Sequence, residues 1–267
     1  DDFTFPQTHN SFVTSDSQFV LAVSHFTGLE KQWEGGVRAF MLDTHHRNDV
    51  NKTAEDVLLC HSTGVLHPCA FGSVNPVEWL FDLKQLMDNS SNDVVSIKFE
   101  SYVPASHLEY LFNVTGLKDR VYSHTLGEAW PSIGDLVLQG KNLVIFQQSH
   151  VDEYPWLHGT WRHTWETSYE LEGKEDMDCK VDRGDGDQSA WVLNHFLKSD
   201  FGTPDPIKSV WANDYETIVE RVLECWEEVG NRPTFFAVDF WEEGELVNAT
   251  IALNQMNHWT DDVPDHP

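Results

Sequence analysis

Two histidines stand at the ends of short apolar runs. His9, followed by Asn10, closes the run in FPQTHNSF (5–12), and His61 closes the one in VLLCHSTG (57–64). Imidazole titrates near neutral pH, so a pair of them can take one proton and deliver another within a single reaction. Carboxylates fall at comparable places: Asp43 in VRAFMLDT (37–44), Glu100 in DVVSIKFES (93–101) and Asp239 in TFFAVDFW (234–241). A lysine, Lys98, precedes Glu100 by two residues. A lone His or Asp at a strand end is usually a cap or a satisfied loop residue. Six such residues at the ends of successive runs point to one shared site.

The elements that must position them are short strands. Side chains alternate faces along a strand, so Ala39, Met41, Asp43 and His45 share a face, as do Val94, Ser96, Lys98 and Glu100, and as do Ala237 and Asp239. The opposite faces, such as Val95, Ile97 and Phe99, are bulky and apolar and suit packing against helices. Six runs read as strands: 37–44, 56–62, 93–101, 142–149, 190–197 and 234–241. Helix-like stretches lie between them. One covers 75–89, with Val77, Leu80, Phe81, Leu83, Lys84 and Met87 near helical spacing and Pro76 early, where a helix tolerates it. A second covers 105–116 and ends on Gly116, and a third covers 214–230, with Ile218, Val222, Cys225 and Val229 on one stripe. The segment 170–188 is the most polar and reads as a long loop. Alternation of strand and helix across residues 1–267 predicts a single α/β domain with a parallel sheet, and at this size a closed TIM-like (β/α) barrel with irregularities. Active sites of such barrels sit at the C-terminal mouth, where the pattern gathers His9, Asn10, Asp43, His61, Glu100 and Asp239. His25, His45, His46, His67, His107, His150 and His163 lack this support and read as surface or structural; adjacent His45 and His46 point to opposite faces of a strand, which disfavours a metal pair.

Composition narrows the function. Seventeen Lys+Arg against 44 Asp+Glu give a formal charge of −27, which argues against nucleic acid and against broad adsorption to an anionic membrane. No apolar run approaches the roughly 20 residues of a bilayer span. Neither GxGxxG nor GxxxxGK[ST] occurs, so a nucleotide fold has no motif support. The first residue is Asp1, which reads as a chain from which an N-terminal segment has been removed or left out. Four cysteines, none in a CxxC, and four N-x-S/T sequons at Asn51, Asn89, Asn113 and Asn248 favour a secreted eukaryotic glycoprotein with two disulfides. Of three pairings, Cys60–Cys69 with Cys179–Cys225 is preferred because the first closes a short local loop.

The blocks THNSF, GGVRAFMLDTHH, LLCHS and VVSIKFESYV, in that order, resemble the X region of phosphatidylinositol-specific phospholipase C, and most of all the small secreted, plant and fungal phosphodiesterases with a lone X-like barrel. Weaker support continues through AWPSIGDLVLQGKNLVIFQQ, TWRHTWETSY, WVLNHFL and FFAVDFWEEGELVNATIALN, covering nearly the whole chain. The resemblance implies an irregular TIM-like barrel and a monomeric phospholipase C-type phosphodiesterase. It would cleave phosphatidylinositol or a related soluble inositol phosphodiester, with transient contact to a membrane surface. It further implies that His9 and His61 flank the phosphodiester. The chemistry assigns His9 as base or phosphate ligand and His61 as general acid, with Asp239 the candidate for orienting His9 by analogy with other His–Asp pairs. Asn10, Asp43 and Glu100 match the places that bind Ca2+ in the calcium-dependent branch. Met41 stands where that branch has a further acid, and the arginine that the metal-free bacterial branch has at the Asp43 place is missing. Lys98 could then supply positive charge to the phosphate, or be ion-paired to Asp43 or Glu100. Arg38 falls on the opposite parity and reads as structural. Two other readings remain: a glycerophosphodiesterase-like or sphingomyelinase-D-like enzyme, which Met41 disfavours, and a non-catalytic secreted barrel binding an inositol phosphate or a glycan, which retention of both histidines disfavours.

Overall fold

The computed structural model describes residues 2–17, 19, 21–48, 50, 52–61, 67–90, 92–149 and 153–264. In chain order the elements are β1 (Phe5–Thr8), α1 (Leu29–Gly35), β2 (Ala39–His46), β3 (Val57–Leu59), α2 (Pro76–Asn89), β4 (Val95–Ser101), α3 (Ala105–Thr115), α4 (Ile133–Leu138), β5 (Leu143–Gln147), β6 (Leu157–Gly159), α5 (Thr160–His163), β7 (Thr164–Glu166), β8 (Ala190–Asn194), α6 (Pro206–Ala212), α7 (Tyr215–Val229), β9 (Phe235–Val238) and α8 (Leu246–Gln255). Eight strands run parallel in the order β6-β5-β4-β2-β1-β9-β8-β7. The sheet curls with its helices into an incomplete barrel: among the described residues no ladder joins β6 to β7, and the single turn of α5 links them.

The alternation of faces sorts the core into layers. Outward-facing Phe40, Leu42, Ile97 and Phe99 pack with Leu80 and Leu83 of α2 and Leu108 and Phe112 of α3. Trp191, Phe236 and Val238 pack with Ile218 and Val222 of α7 and Ala249 and Leu253 of α8. Inward-facing Ala39, Met41, Val144, Phe146, Val192 and Ala237 form a third cluster inside the barrel. The parallel register aligns the inward residues in tiers, with Ala39 beside Ser96, Met41 beside Lys98 and Asp43 beside Glu100. The last tier is polar because it faces the mouth.

The helices follow their local signals. Asp214 caps α7 by accepting from the Thr217 N–H at 2.9 Å, and Gly230 ends it at φ 89°. Asn75 caps α2 with Pro76 in its first turn, and Gly116 closes α3 at φ 74°, where a left-handed residue is needed. In α2, Trp79 is buried and Phe81 exposed, so the apolar stripe is rotated from the one read off the sequence. Phe81 fits the 3.6-residue period only loosely and lies on the shoulder of that stripe.

The run 56–62 requires a larger correction. Its strand, β3, is antiparallel to β2, pairing Leu59 with Thr44 and Val57 with His46, and it lies off the barrel path. His61 therefore reaches the mouth by turning back toward it, not from the end of a parallel strand. Its neighbour Cys60 donates its N–H to the Asp43 carbonyl at 3.2 Å. Three parallel strands, β1, β6 and β7, escaped the strand reading because they have only four, three and three residues, too few for alternation to show.

Both expected disulfides form, Cys60–Cys69 across 9 residues and Cys179–Cys225 across 46. Constraint of the unfolded chain grows with loop length, giving about 2.6 kcal/mol for the short loop and about 4 kcal/mol for the long one. Urea melts of C60S/C69S and C179S/C225S double variants should show the second as the more destabilised; the reverse order would mean that strain, not chain entropy, sets these bridges' contribution.

Candidate active site

A cavity of about 250 Å³ opens at the C-terminal mouth. All seven side chains singled out from the sequence line it: His9, Asn10, Asp43, His61, Lys98, Glu100 and Asp239. His9 follows β1 directly, Asp43 lies in β2, Lys98 and Glu100 in β4, and Asp239 just beyond β9.

The two imidazoles are each backed by a carboxylate. His9 Nδ1 lies 3.0 Å from Asp239 Oδ1, and His61 Nδ1 lies 2.5 Å from Asp43 Oδ2. An ionised carboxylate only accepts, so each Nδ1 carries a proton and in the neutral ring Nε2 is the basic nitrogen. The Asn10 amide meets His9 Nε2 at 3.1 Å and donates to it. The two rings face each other with centroids 6.4 Å apart, near perpendicular. His9 also stacks flat on Phe196, centroids 3.9 Å apart, which fixes the ring plane. Burial opposes protonation of His61, but the hydrogen bond and charge of Asp43, helped by Glu100 and Asp239, outweigh it and raise its pKa.

The backbone beneath the pair is held under strain. Asn10 and Phe240, each following one member of the His9–Asp239 pair, lie in the left-handed region at φ 47° and 48°. Asn adopts this conformation readily; Phe does so only where the surroundings compel it. Those surroundings are visible: the Phe240 N–H donates to Ser24 O at 2.6 Å, and the Asn213 amide donates to the carbonyls of Asp239 and Phe240 at 2.8 and 3.1 Å. His25, fully buried, donates from Nε2 to the His9 carbonyl at 2.7 Å. The histidine read as structural is therefore a direct support of a site residue.

Lys98 pairs with neither Asp43 nor Glu100. It points across the mouth to Glu166 at the end of β7, and Arg183 meets the same carboxylate from the other side, Nε to Oε1 at 2.5 Å. Burial favours the neutral form of Glu166, but Lys98 and Arg183 outweigh it and hold the carboxyl below its usual range. Arg183 also lies 4.3 Å over Tyr169 and 5.0 Å over Trp161. Glu166, Tyr169, Arg183, Asn194, Phe196 and Lys198 also line the wall, with Gln148, Gly202 and Pro204, and none of these was singled out from the sequence. The segment 170–188 is a loop as expected, yet it delivers Arg183. The available signal was scarcity: with only 17 Lys+Arg in the chain, cations gathered at one mouth are conspicuous.

The calcium expectation rests on Asn10, Asp43 and Glu100. Asp43 gives Oδ2 to His61, Glu100 gives Oε1 to the Tyr102 hydroxyl and Asn10 turns its nitrogen to His9. One oxygen of each side chain is not spent on these bonds. Met41 lines the cavity without adding a hard ligand, and among the described residues no group of three or more His, Cys, Asp or Glu is arranged to hold a metal. Calcium takes about six to eight oxygens, so an ion held by these three side chains would need water for most of its positions. His45 stacks on Tyr102, centroids 4.2 Å apart, and burial pushes it down to about 4, while His46 contacts His107 at 3.0 Å. The two do not act as a pair. Arg38 stacks on Trp33 and pairs with Asp93, away from the cavity. His150 and Asn51 lie outside the described residues.

Imidazole titration by NMR should place His61 above its ordinary 6.5, and Asp43→Asn should lower it. The sign follows from the direction: a raised folded pKa stabilises below the unfolded value, and that stabilisation is lost as pH rises through the folded one. A His61 pKa unmoved by Asp43→Asn would show that the bond does not control the proton.

Known proteins resemble this chain in sequence and in fold. A family model described as PI-PLC X 1 matches residues 1–254. A PI-PLC X domain-containing protein of Arthroderma benhamiae is 27% identical over 85% of this chain and 77% of its own length. One from Arabidopsis thaliana is 24% identical over 96% of this chain, which spans only 62% of that relative. In fold, a variant of the phosphatidylinositol-specific phospholipase C from Staphylococcus aureus aligns with TM-score 0.56 over 90% of this chain and 85% of its own, at 13% identity. With the match running from the first block through nearly all of the barrel, the chain belongs to the PI-PLC X family.

Proposed function

We propose that this protein is a secreted phosphodiesterase that cleaves phosphatidylinositol or a related inositol phosphodiester by acid–base catalysis between His9 and His61. The observation that carries this reading is the pair of carboxylate-backed imidazoles facing each other at 6.4 Å in one cavity. His9 Nε2 takes the proton of the inositol 2-hydroxyl as its oxygen attacks phosphorus. The bond to the glycerol oxygen breaks, and His61, which enters the reaction as the imidazolium that its raised pKa favours, protonates that oxygen from Nε2–H. The products are a cyclic inositol phosphate and diacylglycerol. Asp239 and Asp43 fix both tautomers and stabilise the imidazolium formed at each stage. Lys98, which is buried, and Arg183, which is partly exposed, are both oriented by Glu166 and supply positive charge and hydroxyl-binding groups at the cavity wall. Calcium, held by Asn10, Asp43 and Glu100, would add charge neutralisation on the phosphoryl oxygens when bound. With two carboxylates and one amide its affinity belongs at roughly 10⁻⁴ to 10⁻³ M, the range of extracellular modules. Secretion fits the two disulfides and such a weak site.

The lipid form of the substrate is favoured by the rim. Phe201 is 91% exposed beside Gly202, which lines the cavity, and Ile207 is 82% exposed at the start of α6. Val210 and Trp211, three and four residues further on, share the face of Ile207 and are also exposed. We propose that this apolar edge dips into the headgroup region of an uncharged membrane surface and presents lipid to the mouth.

Phosphorus NMR on phosphatidylinositol should show a cyclic phosphate, and His9→Ala and His61→Ala should each lower turnover by roughly 10²-fold or more with little change in melting temperature. A fully active His61→Ala variant would overturn the mechanism. Calorimetry should find millimolar-range calcium binding that Met41→Glu tightens; sub-micromolar binding to the native chain would contradict the assignment. Phe201→Ser with Ile207→Ser should reduce hydrolysis of lipid in phosphatidylcholine vesicles while sparing a soluble short-chain substrate. Equal loss on both substrates would refute the membrane edge.

A further inference from the structure

A second, larger cavity of about 560 Å³ lies at the opposite end of the barrel. Its wall comes from the beginnings of strands: Phe5 opens β1, Ala190 opens β8 and Phe235 opens β9. Ser96 and Val144 belong to the first half of β4 and β5. The inward tiers of Ala39, Met41 and Ala237 lie between these strand beginnings and the catalytic mouth. Bottom faces of such barrels ordinarily serve stability, and a well-packed interior leaves few voids larger than a water. A cavity of this size falls in the range that takes a small molecule.

Its chemistry is specific. Aromatic side chains line it in a connected series: Phe5 stacks on Phe235 with centroids 5.8 Å apart, Phe235 meets Phe146 edge-on at 5.9 Å, and Phe146 meets Trp130 at 6.0 Å. Such walls favour a flat ring lying among them. Among the described residues the one ionisable group lining it is Asp2, which repels anions, and none of them is a lysine or arginine that could pair with one. Ser96 lines the same cavity, is 3% exposed, and its hydroxyl has no hydrogen-bond partner among the described residues. Buried hydroxyls are nearly always bonded, so an unpaired one beside a cavity marks the place where a ligand atom completes the bond. We propose that the lower end of the barrel binds a small, uncharged aromatic molecule whose single oxygen pairs with Ser96. This site is separate from the catalytic mouth and independent of its reaction.

The probe is 1-naphthol, followed by calorimetry and ligand-observed NMR on the intact chain, with 1-naphthoate as the anionic control. Saturable one-to-one binding is expected, weakened at least tenfold for the naphthoate. Ser96→Ala should weaken binding about threefold to tenfold, the loss of one neutral hydrogen bond. Ala190→Phe should fill the cavity and abolish binding; should it prevent folding, Ser96→Ala alone carries the test. His61→Ala, in the other cavity, should bind the probe as the native chain does. No saturable binding, equal affinity for the naphthoate, full affinity in folded Ser96→Ala, or loss of binding in His61→Ala would each overturn the proposal.

Discussion

A carboxylate behind each imidazole is the constraint on which the rest depends. Neither His9 nor His61 could keep a defined tautomer in a water-filled mouth without a fixed acceptor at Nδ1. Asp239 and Asp43 are that acceptor only because the barrel brings the ends of β9 and β2 to either side of the cavity. The requirement propagates into the backbone: Asn10 and Phe240 turn left-handed where their strands end, and Asn213, Ser24 and His25 are spent on holding those turns. Much of the buried polar structure near the mouth is thus committed to placing two hydrogen bonds.

What the sequence made legible follows from how far each signal reaches. Alternation over seven or eight residues was enough to place Asp43, Lys98 and Glu100 on inward faces, because β2 and β4 are long and central. Caps and glycines located α3 and α7 to within a residue. Cysteine proximity suggested one disulfide and left the other by elimination. The order of the sequence blocks carries the family resemblance.

What stayed hidden was non-local. Nothing in 56–62 distinguishes a parallel barrel strand from a hairpin arm folded back on β2, since direction is set by the loop and the partner. Glu166 sits on a strand of three residues, below the length at which parity can be read. Arg183 belongs to a loop whose composition predicts exposure; only the fold shows that it returns to meet Glu166. Lys98 lies on the inward face that parity gives it, but of its two readings the pairing with Asp43 or Glu100 does not form, because Glu166 reaches it from the far edge of the sheet.

The gap between β6 and β7 gives the mouth a mechanical character. A closed barrel is a hoop: widening it anywhere stretches backbone hydrogen bonds all round. This hoop is cut, and near the cut the wall is held by side chains, with Lys98 of β4 reaching Glu166 at the β7 edge and Arg183 fastened beside it. Side-chain pairs can exchange partners where a ladder cannot. In the proposed reaction a phosphate would compete with Glu166 for the same two cations, at the part of the wall that side chains rather than a ladder hold together.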